Sequence, residues 1–229
     1  MAQLSDNSSA KPISLMLQYE DWIDGVTLSR DASRMVVWGG DLFGGIAHIR
    51  DAASGQPLTS LVKHEDRISG AVFSSDERHV LTWSEDGSIR LWDSETGDAV
   101  LQPLKHNGRV AGAIFSSNND WILSWSLDGS ARLWDRRTGQ PIIALQHDSG
   151  VYGAAFGPDD TRIITWSLDG AVRAWDLHSP DWPHEQLVLK LEVETGTQLN
   201  EAGALAPLSA TEWRTRKTQY EHLQKRHSQ

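Results

Sequence analysis

Through the middle of the chain, apolar residues come in short runs of about six, separated by polar turn residues. That is the phase of strands, not helices. The stretch 109–146 shows the unit. RVAGAIFSS (109–117) is rich in β-branched and aromatic residues, Asn118-Asn119-Asp120 turns the chain, and WILSWS (121–126) is a second apolar run. Asp128-Gly129 is expected to supply the positive-φ residues of a tight hairpin turn. SARLWD (130–135) follows, Arg136-Arg137-Thr138-Gly139 turns again, and QPIIALQ (140–146) is a fourth run. The pattern predicts a four-stranded antiparallel meander.

The unit recurs. ILSWSLDGSARLWD (122–135) matches VLTWSEDGSIRLWD (80–93) and IITWSLDGAVRAWD (163–176), and Trp92, Trp134 and Trp175 stand 42 and 41 residues apart. Asp86, Asp128 and Asp169 keep that spacing, as do His64, His106 and His147. A fixed period of about 40–45 residues belongs to blade-type repeats. A further copy precedes them, with Trp22–Ser29 as its first strand, Met35–Trp38 as its second and Asp41 at the turn aspartate. Its turn, around Phe43–Gly45, is about three residues longer. HIRDAASGQP (48–57) then matches IRLWDSETGD, with Arg50 in place of the Trp and Tyr19 in place of the His.

These units resemble WD repeats, and the resemblance covers about residues 11–176. It implies an all-β, WD40-type β-propeller of about four four-stranded blades, a partial or oligomer-completed ring. In that family a buried hydrogen-bond chain links His, Ser or Thr, Asp and Trp in each blade. The matching residues are His64, Thr82, Asp86 and Trp92; His106, Ser124, Asp128 and Trp134; and His147, Thr165, Asp169 and Trp175. The physical logic is that a buried indole N–H or imidazole needs a partner, and a satisfied network fixes one packing arrangement. The family's closed rings usually have seven blades. KPISLMLQYE (11–20) is similar to the fourth strand and loop of a blade, QPLTSLVKHE (56–65), whereas the last blade lacks a matching fourth strand. The N-terminal strand is one candidate to complete that blade, and LVLKLEV (187–193) competes for the same edge. If neither closes a ring, the terminal blades expose apolar faces that must pair with another chain.

Three His and three Asp at matched positions read as architecture, because recurrence places one set in each blade and a catalytic or metal site would gather them once. Trp83, Trp125 and Trp166, at the middle of the second strands, read as packing between blades and not as an aromatic binding surface. Glu85, Leu127 and Leu168 precede the turn aspartates, and Arg67 and Arg109 precede the first strands. The resemblance puts these five on the loop face where such propellers usually meet partners, making them the candidate partner-binding face.

Composition narrows the function. Of 229 residues 39% are hydrophobic and 23% charged, as in ordinary globular proteins, while a formal net charge of −10 repels phosphate backbones. The expectation is no nucleic-acid partner. With no cysteine, disulfides, thiolate metal sites and cysteine catalysis are excluded. MAQLSDNSSA lacks a basic start and an apolar signal core, and SLML (14–17) is too short to span a bilayer. No membrane partner and a cytoplasmic location are expected. There is no G-x-x-x-x-G-K-[ST], G-x-S-x-G or H-E-x-x-H motif. No catalytic residue, cofactor or metal is assigned.

After Asp176 the repeat stops. LHSPDWPHEQ (177–186) is a connector, LVLKLEVE (187–194) alternates as a strand with a short helix as the alternative, and TGTQLNEAG (195–203) reads as loop. Ser209-Ala-Thr-Glu212 is a capping box opening a helix to about Lys225 (209–225), docked by Trp213, Tyr220 and Leu223. Its Arg214, Arg216, Lys217, Lys225 and Arg226 read as a solvated face. The tail looks like the closing segment of WD-repeat arrays in large bacterial signalling proteins, where the array follows an NTPase or protease-like module that this chain does not contain. The expected layout is a disordered 1–10, blades over 11–176 and a tail over 177–229. The expected function is a non-enzymatic protein-binding scaffold or sensor, with self-association as one route to a complete ring. A detached, non-functional remnant of a larger signalling protein and a propeller enzyme are the alternatives.

Overall fold

Short apolar runs separated by polar turns of a few residues favour antiparallel pairing of neighbouring strands. A computed structural model of the chain describes residues 2–5, 12–17, 22–41, 44–59, 62–177, 192–193, 196–199 and 205–227. The chain divides into two compact units, Met1–Leu104 and Lys105–Gln229.

The first unit opens with a hairpin of β1 (Ala2–Ser5) and β2 (Pro12–Leu17). Sheet one follows, in the order β3 (Trp22–Leu28), β4 (Arg34–Asp41), β5 (Gly44–Asp51), β6 (Val62–His64). Sheet two contains β7 (Ile68–Phe73), β8 (His79–Ser84) and β9 (Ser88–Asp93), with β10 (Leu104–Lys105) as its fourth strand at the unit boundary. β7 packs across β3, β4 and β5. Val36, Ala47 and Ile49 from sheet one share a core there with Ile68, Ala71 and Phe73. Arg34 ties the same two sheets from outside, donating to Ser94 Oγ at 3.0 Å and to the Glu77 carbonyl at 2.9 Å.

In the second unit, sheet three runs β11 (Val110–Phe115), β12 (Trp121–Ser126), β13 (Ser130–Asp135), β14 (Pro141–Gln146). Sheet four has β15 (Val151–Phe156), β16 (Arg162–Ser167) and β17 (Val172–Asp176). β15 packs on β11, β12 and β13, and Leu123, Ala131 and Leu133 are sealed against Val151 and Ala154. A hairpin of β18 (Thr197–Leu199) and β19 (Leu205–Pro207) and the helix α1 (Ala210–His227) complete the unit. α1 begins with reciprocal bonds, Ser209 N to Glu212 Oε2 at 2.8 Å and Glu212 N to Ser209 Oγ at 3.3 Å, which satisfy two of its free N–H groups.

Several expectations change. Residues 1–10 are not featureless, since Ala2–Ser5 pairs with Pro12–Leu17. The N-terminal strand therefore lies in its own hairpin, and sheet four has three strands among the described residues. Of 187–194, only Glu192 and Val193 fall within the described residues, and both are helical. Thr197–Leu199 is a strand, not loop, paired antiparallel with Leu205–Pro207. In the Asp128-Gly129 turn only Gly129 has positive φ, at 88°. Gly129 N donates to the Ser126 carbonyl, so the glycine alone meets the conformational demand and the Asp128 carboxylate is free to accept hydrogen bonds. Arg216 is not simply solvated, being 3.2 Å from Glu192 Oε2.

Of the second-strand tryptophans, Trp125 packs against the core between blades as expected and Trp38 does likewise, and all four also have a more local task. Trp38, Trp83, Trp125 and Trp166 lie directly opposite Gly25, Gly70, Gly112 and Gly153 on the first strands. Each indole occupies the space where the glycine's Cβ would be. Trp125 also packs against the core between sheets three and four.

Candidate functional site

The recurrent polar residues meet at one end of sheets two, three and four. In sheet three, the loop after β10 delivers His106, the middle of β12 delivers Ser124, the β12–β13 turn delivers Asp128 and the end of β13 delivers Trp134. Trp134 Nε1 donates to Ser124 Oγ at 2.8 Å, and Ser124 Oγ lies 2.8 Å from His106 Nε2. His106 Nδ1 lies 3.1 Å from Asp128 Oδ2. One neutral tautomer completes the chain: Trp134 N–H to Ser124, Ser124 O–H to Nε2, and Nδ1–H to Asp128. Asp128 also accepts from Asn107 N at 2.9 Å, Ser130 N at 2.9 Å and Ser130 Oγ at 2.6 Å.

Sheet two repeats the arrangement. Trp92 Nε1 donates to Thr82 Oγ1 at 2.9 Å, Thr82 Oγ1 is 2.8 Å from His64 Nε2, and His64 Nδ1 is 3.1 Å from Asp86 Oδ2. Sheet four keeps the first two contacts, with Trp175 to Thr165 at 2.8 Å and Thr165 to His147 Nε2 at 2.7 Å. Its third is looser: His147 Nδ1 stands 3.5 Å from Asp169 Oδ2 and makes no hydrogen bond. Here Ala171 replaces Ser88 and Ser130, removing the hydroxyl that pins the carboxylate elsewhere. Sheet one has Val37 and Arg50 at the Thr and Trp positions, so it carries no such chain.

Electrostatics follow from the geometry. Burial pushes the Asp128 carboxyl up, but hydrogen bonds and charge from His106, with Ser130 and the Asn107 amide, outweigh it and hold the carboxyl well below the usual range. Asp86 is depressed in the same way against its burial, by His64 and Ser88. Burial lowers His106 despite the opposing pull of Asp128. Burial also lowers His147, helped by the Arg173 charge. Burial thus favours the neutral imidazole at His106 and His147, and at His106 it lies beside a carboxylate held in its ionised form. Among the described residues, no group of three or more His, Cys, Asp or Glu is placed to hold a metal ion.

The WD domain, G-beta repeat family model matches residues 55–93, 100–135 and 139–176. The chain belongs to the WD40-repeat family. Each matched WD40 repeat spans the last strand of one sheet and the first three of the next, which is why its His and its Asp lie in different sheets. The unmatched first sheet is the one that lacks the polar chain. No curated protein matches the chain. Among solved structures, the computationally designed Ika4 protein is 23% identical with a TM-score of 0.60, over 70% of this chain and 94% of that one. The designed Ika8 protein is 20% identical with a TM-score of 0.65, over 76% of this chain and 52% of that one. At these identities the likeness speaks for the fold, and the four sheets are WD40-type propeller blades.

The five candidate face residues are distributed between the units. In the first, Glu85 N donates to the Arg67 carbonyl at 3.0 Å, so the two residues are neighbours. Arg67 is committed to Asp24 of the preceding blade, its Nε donating at 2.8 Å. In the second, Leu127 N donates to the Arg109 carbonyl at 3.0 Å and Leu168 N to the Gly150 carbonyl at 2.9 Å. Gly150, at the position of Arg67 and Arg109, was not among the candidates. It lies in contact with Leu127, whose Cα and Cδ2 would stand 3.2 Å from a Cβ there. Leu127, Gly150 and Leu168 therefore form a continuous apolar line, with both leucines exposed. The repeat spacing that aligns Arg67 with Arg109 also marks Gly150, but a glycine has no side chain to single it out. Nearby, the β18–β19 hairpin and Asn107, Asp128, Ser130, Arg132 and Gln146 enclose a pocket of about 200 Å³. Arg132 is buried there and donates to the Lys105 carbonyl at 2.8 Å.

Proposed function

We propose that the chain is a non-enzymatic protein-binding scaffold that works in the cytoplasm and presents the loop ends of its WD40 blades to a protein partner. The observation that carries this reading is the Leu127–Gly150–Leu168 line, with exposed Arg109 beside it. Side chains at turns face water by default, and two adjoining exposed leucines joined through a glycine make an apolar strip with a charged margin, the composition of a partner-binding patch. The His64–Asp86 and His106–Asp128 pairs support the same reading from the other side, because their hydrogen bonds are used in joining one sheet to the next. The five residues named for this face divide into an Arg67–Glu85 pair in one unit and an Arg109–Leu127–Leu168 group in the other. The second group forms the contact.

The test is affinity capture with the tagged chain beside a Leu127→Asp/Leu168→Asp variant, read by mass spectrometry. Proteins retained by the wild type and lost from the variant, at an unchanged circular dichroism spectrum, are the expected result. Identical retained sets would remove the loop ends as the binding face.

A further inference from the structure

Two kinds of blade face that are buried within the units are open in sheet one and in sheet four. In sheet one Val36, Ala47 and Ile49 receive β7, and in sheet three Leu123, Ala131 and Leu133 receive β15. By strand register the same three positions in sheet four are Ile164, Val172 and Ala174. Among the described residues nothing packs on them: Val172 is 71% exposed and Ile164 41%, against 0% for both Ala131 and Leu123. The docking side shows the mirror-image vacancy. Ile68, Ala71 and Phe73 of β7 are buried against sheet one, and the matching residues of β3 are Ile23, Val26 and Leu28. Val26 is 49% exposed where Ala71 is 6%.

We infer that a second copy of this chain covers these faces, its β3 docking on sheet four as β7 docks on sheet one and β15 on sheet three. Each copy carries one face of each kind, so two copies can satisfy both junctions, whereas a contact that never closed would grow into a filament. The repeat also sets a contact at the rim. Between sheets one and two, Asp24 binds Arg67. The residue equivalent to Asp24 in sheet four is Tyr152 and the residue equivalent to Arg67 before sheet one is Trp22, both strongly exposed. The new junction therefore replaces an ion pair with an aromatic pair, which tells the terminal junction apart from the internal ones. This inference stands apart from the loop-end partner, since it uses sheet faces and not turns.

The experiment is size-exclusion chromatography with light scattering. Wild type is expected at twice its 25.4 kDa chain mass, and Val172→Arg and Val26→Arg each at the single-chain mass. Both positions are exposed, so arginine leaves the chain's own packing intact, which the circular dichroism spectrum checks. Mixing the two variants should restore the double mass, because each supplies the intact face the other lacks. Trp22→Ala, a milder change, should weaken association about tenfold, the scale of an aromatic contact. A monomeric wild type, a dimer that survives either arginine, or a mixture that stays monomeric would each overturn the inference.

Discussion

At the residue scale, the instructive comparison is between the tight polar chains of sheets two and three and the slack one in sheet four. The difference traces to Ala171. With a hydroxyl there, as at Ser88 and Ser130, Asp169 would gain a donor and be drawn toward His147. Ala171→Ser should raise the unfolding free energy by about 0.5–1.5 kcal/mol, the net worth of one intramolecular hydrogen bond, read as a higher urea midpoint. The same networks set the response to acid. His106 and His147 are held below the ordinary histidine value when folded. The unfolded chain then binds more protons as pH falls below about 6.5, and stability declines from there. Asp86, Asp128 and Asp169 are held below the ordinary carboxylate value. Their contribution is present above about pH 4 and is lost below it, adding a second decline in the same direction. Melting temperature should therefore fall from pH 7 to 5 and more steeply below 4, and a flat profile from pH 7 to 5 would mean the imidazoles take up protons as readily in the fold as in the unfolded chain.

At the element scale, the cross-strand glycine and tryptophan are one device used four times. The glycine admits the indole against the backbone, and the indole covers strand that would otherwise be exposed. Gly112→Ala should destabilise by about 1–3 kcal/mol, since the methyl group must displace the Trp125 ring in a packed sheet. Near-ultraviolet circular dichroism should change with it, and an unchanged midpoint would show that the ring moves freely. Strand positions were readable from the sequence because alternation and turn residues mark them locally. The pairing of Gly112 with Trp125 was not, because register depends on the bulge between Val110 and Gly112. The β18–β19 hairpin escaped notice for a related reason. Thr197–Leu199 and Leu205–Pro207 are too short to show a period of their own.

At the scale of the whole molecule, two units each stack one blade on another, and each contributes one open face. A chain whose apolar ends are covered by association gains stability with concentration. The melting temperature of the wild type should rise as the protein is concentrated, while that of Val172→Arg should stay constant. No helix among the described residues is long and apolar enough to cross a membrane.

The repeat, its period and the strands of the blades were determined by the sequence alone, since local alternation, turn chemistry and spacing survive a linear reading. The residues that meet in the polar chains were implied by the resemblance to WD repeats. Tertiary structure decided which faces stay open, that Gly150 joins Leu127 to Leu168, that Ala171 slackens the last network, and that the N-terminal strand pairs with β1. These depend on which elements come together across long stretches of chain. Val172 and Ala131 occupy the same place in the same motif; sheet four buries Ala131, while among the described residues nothing packs on Val172.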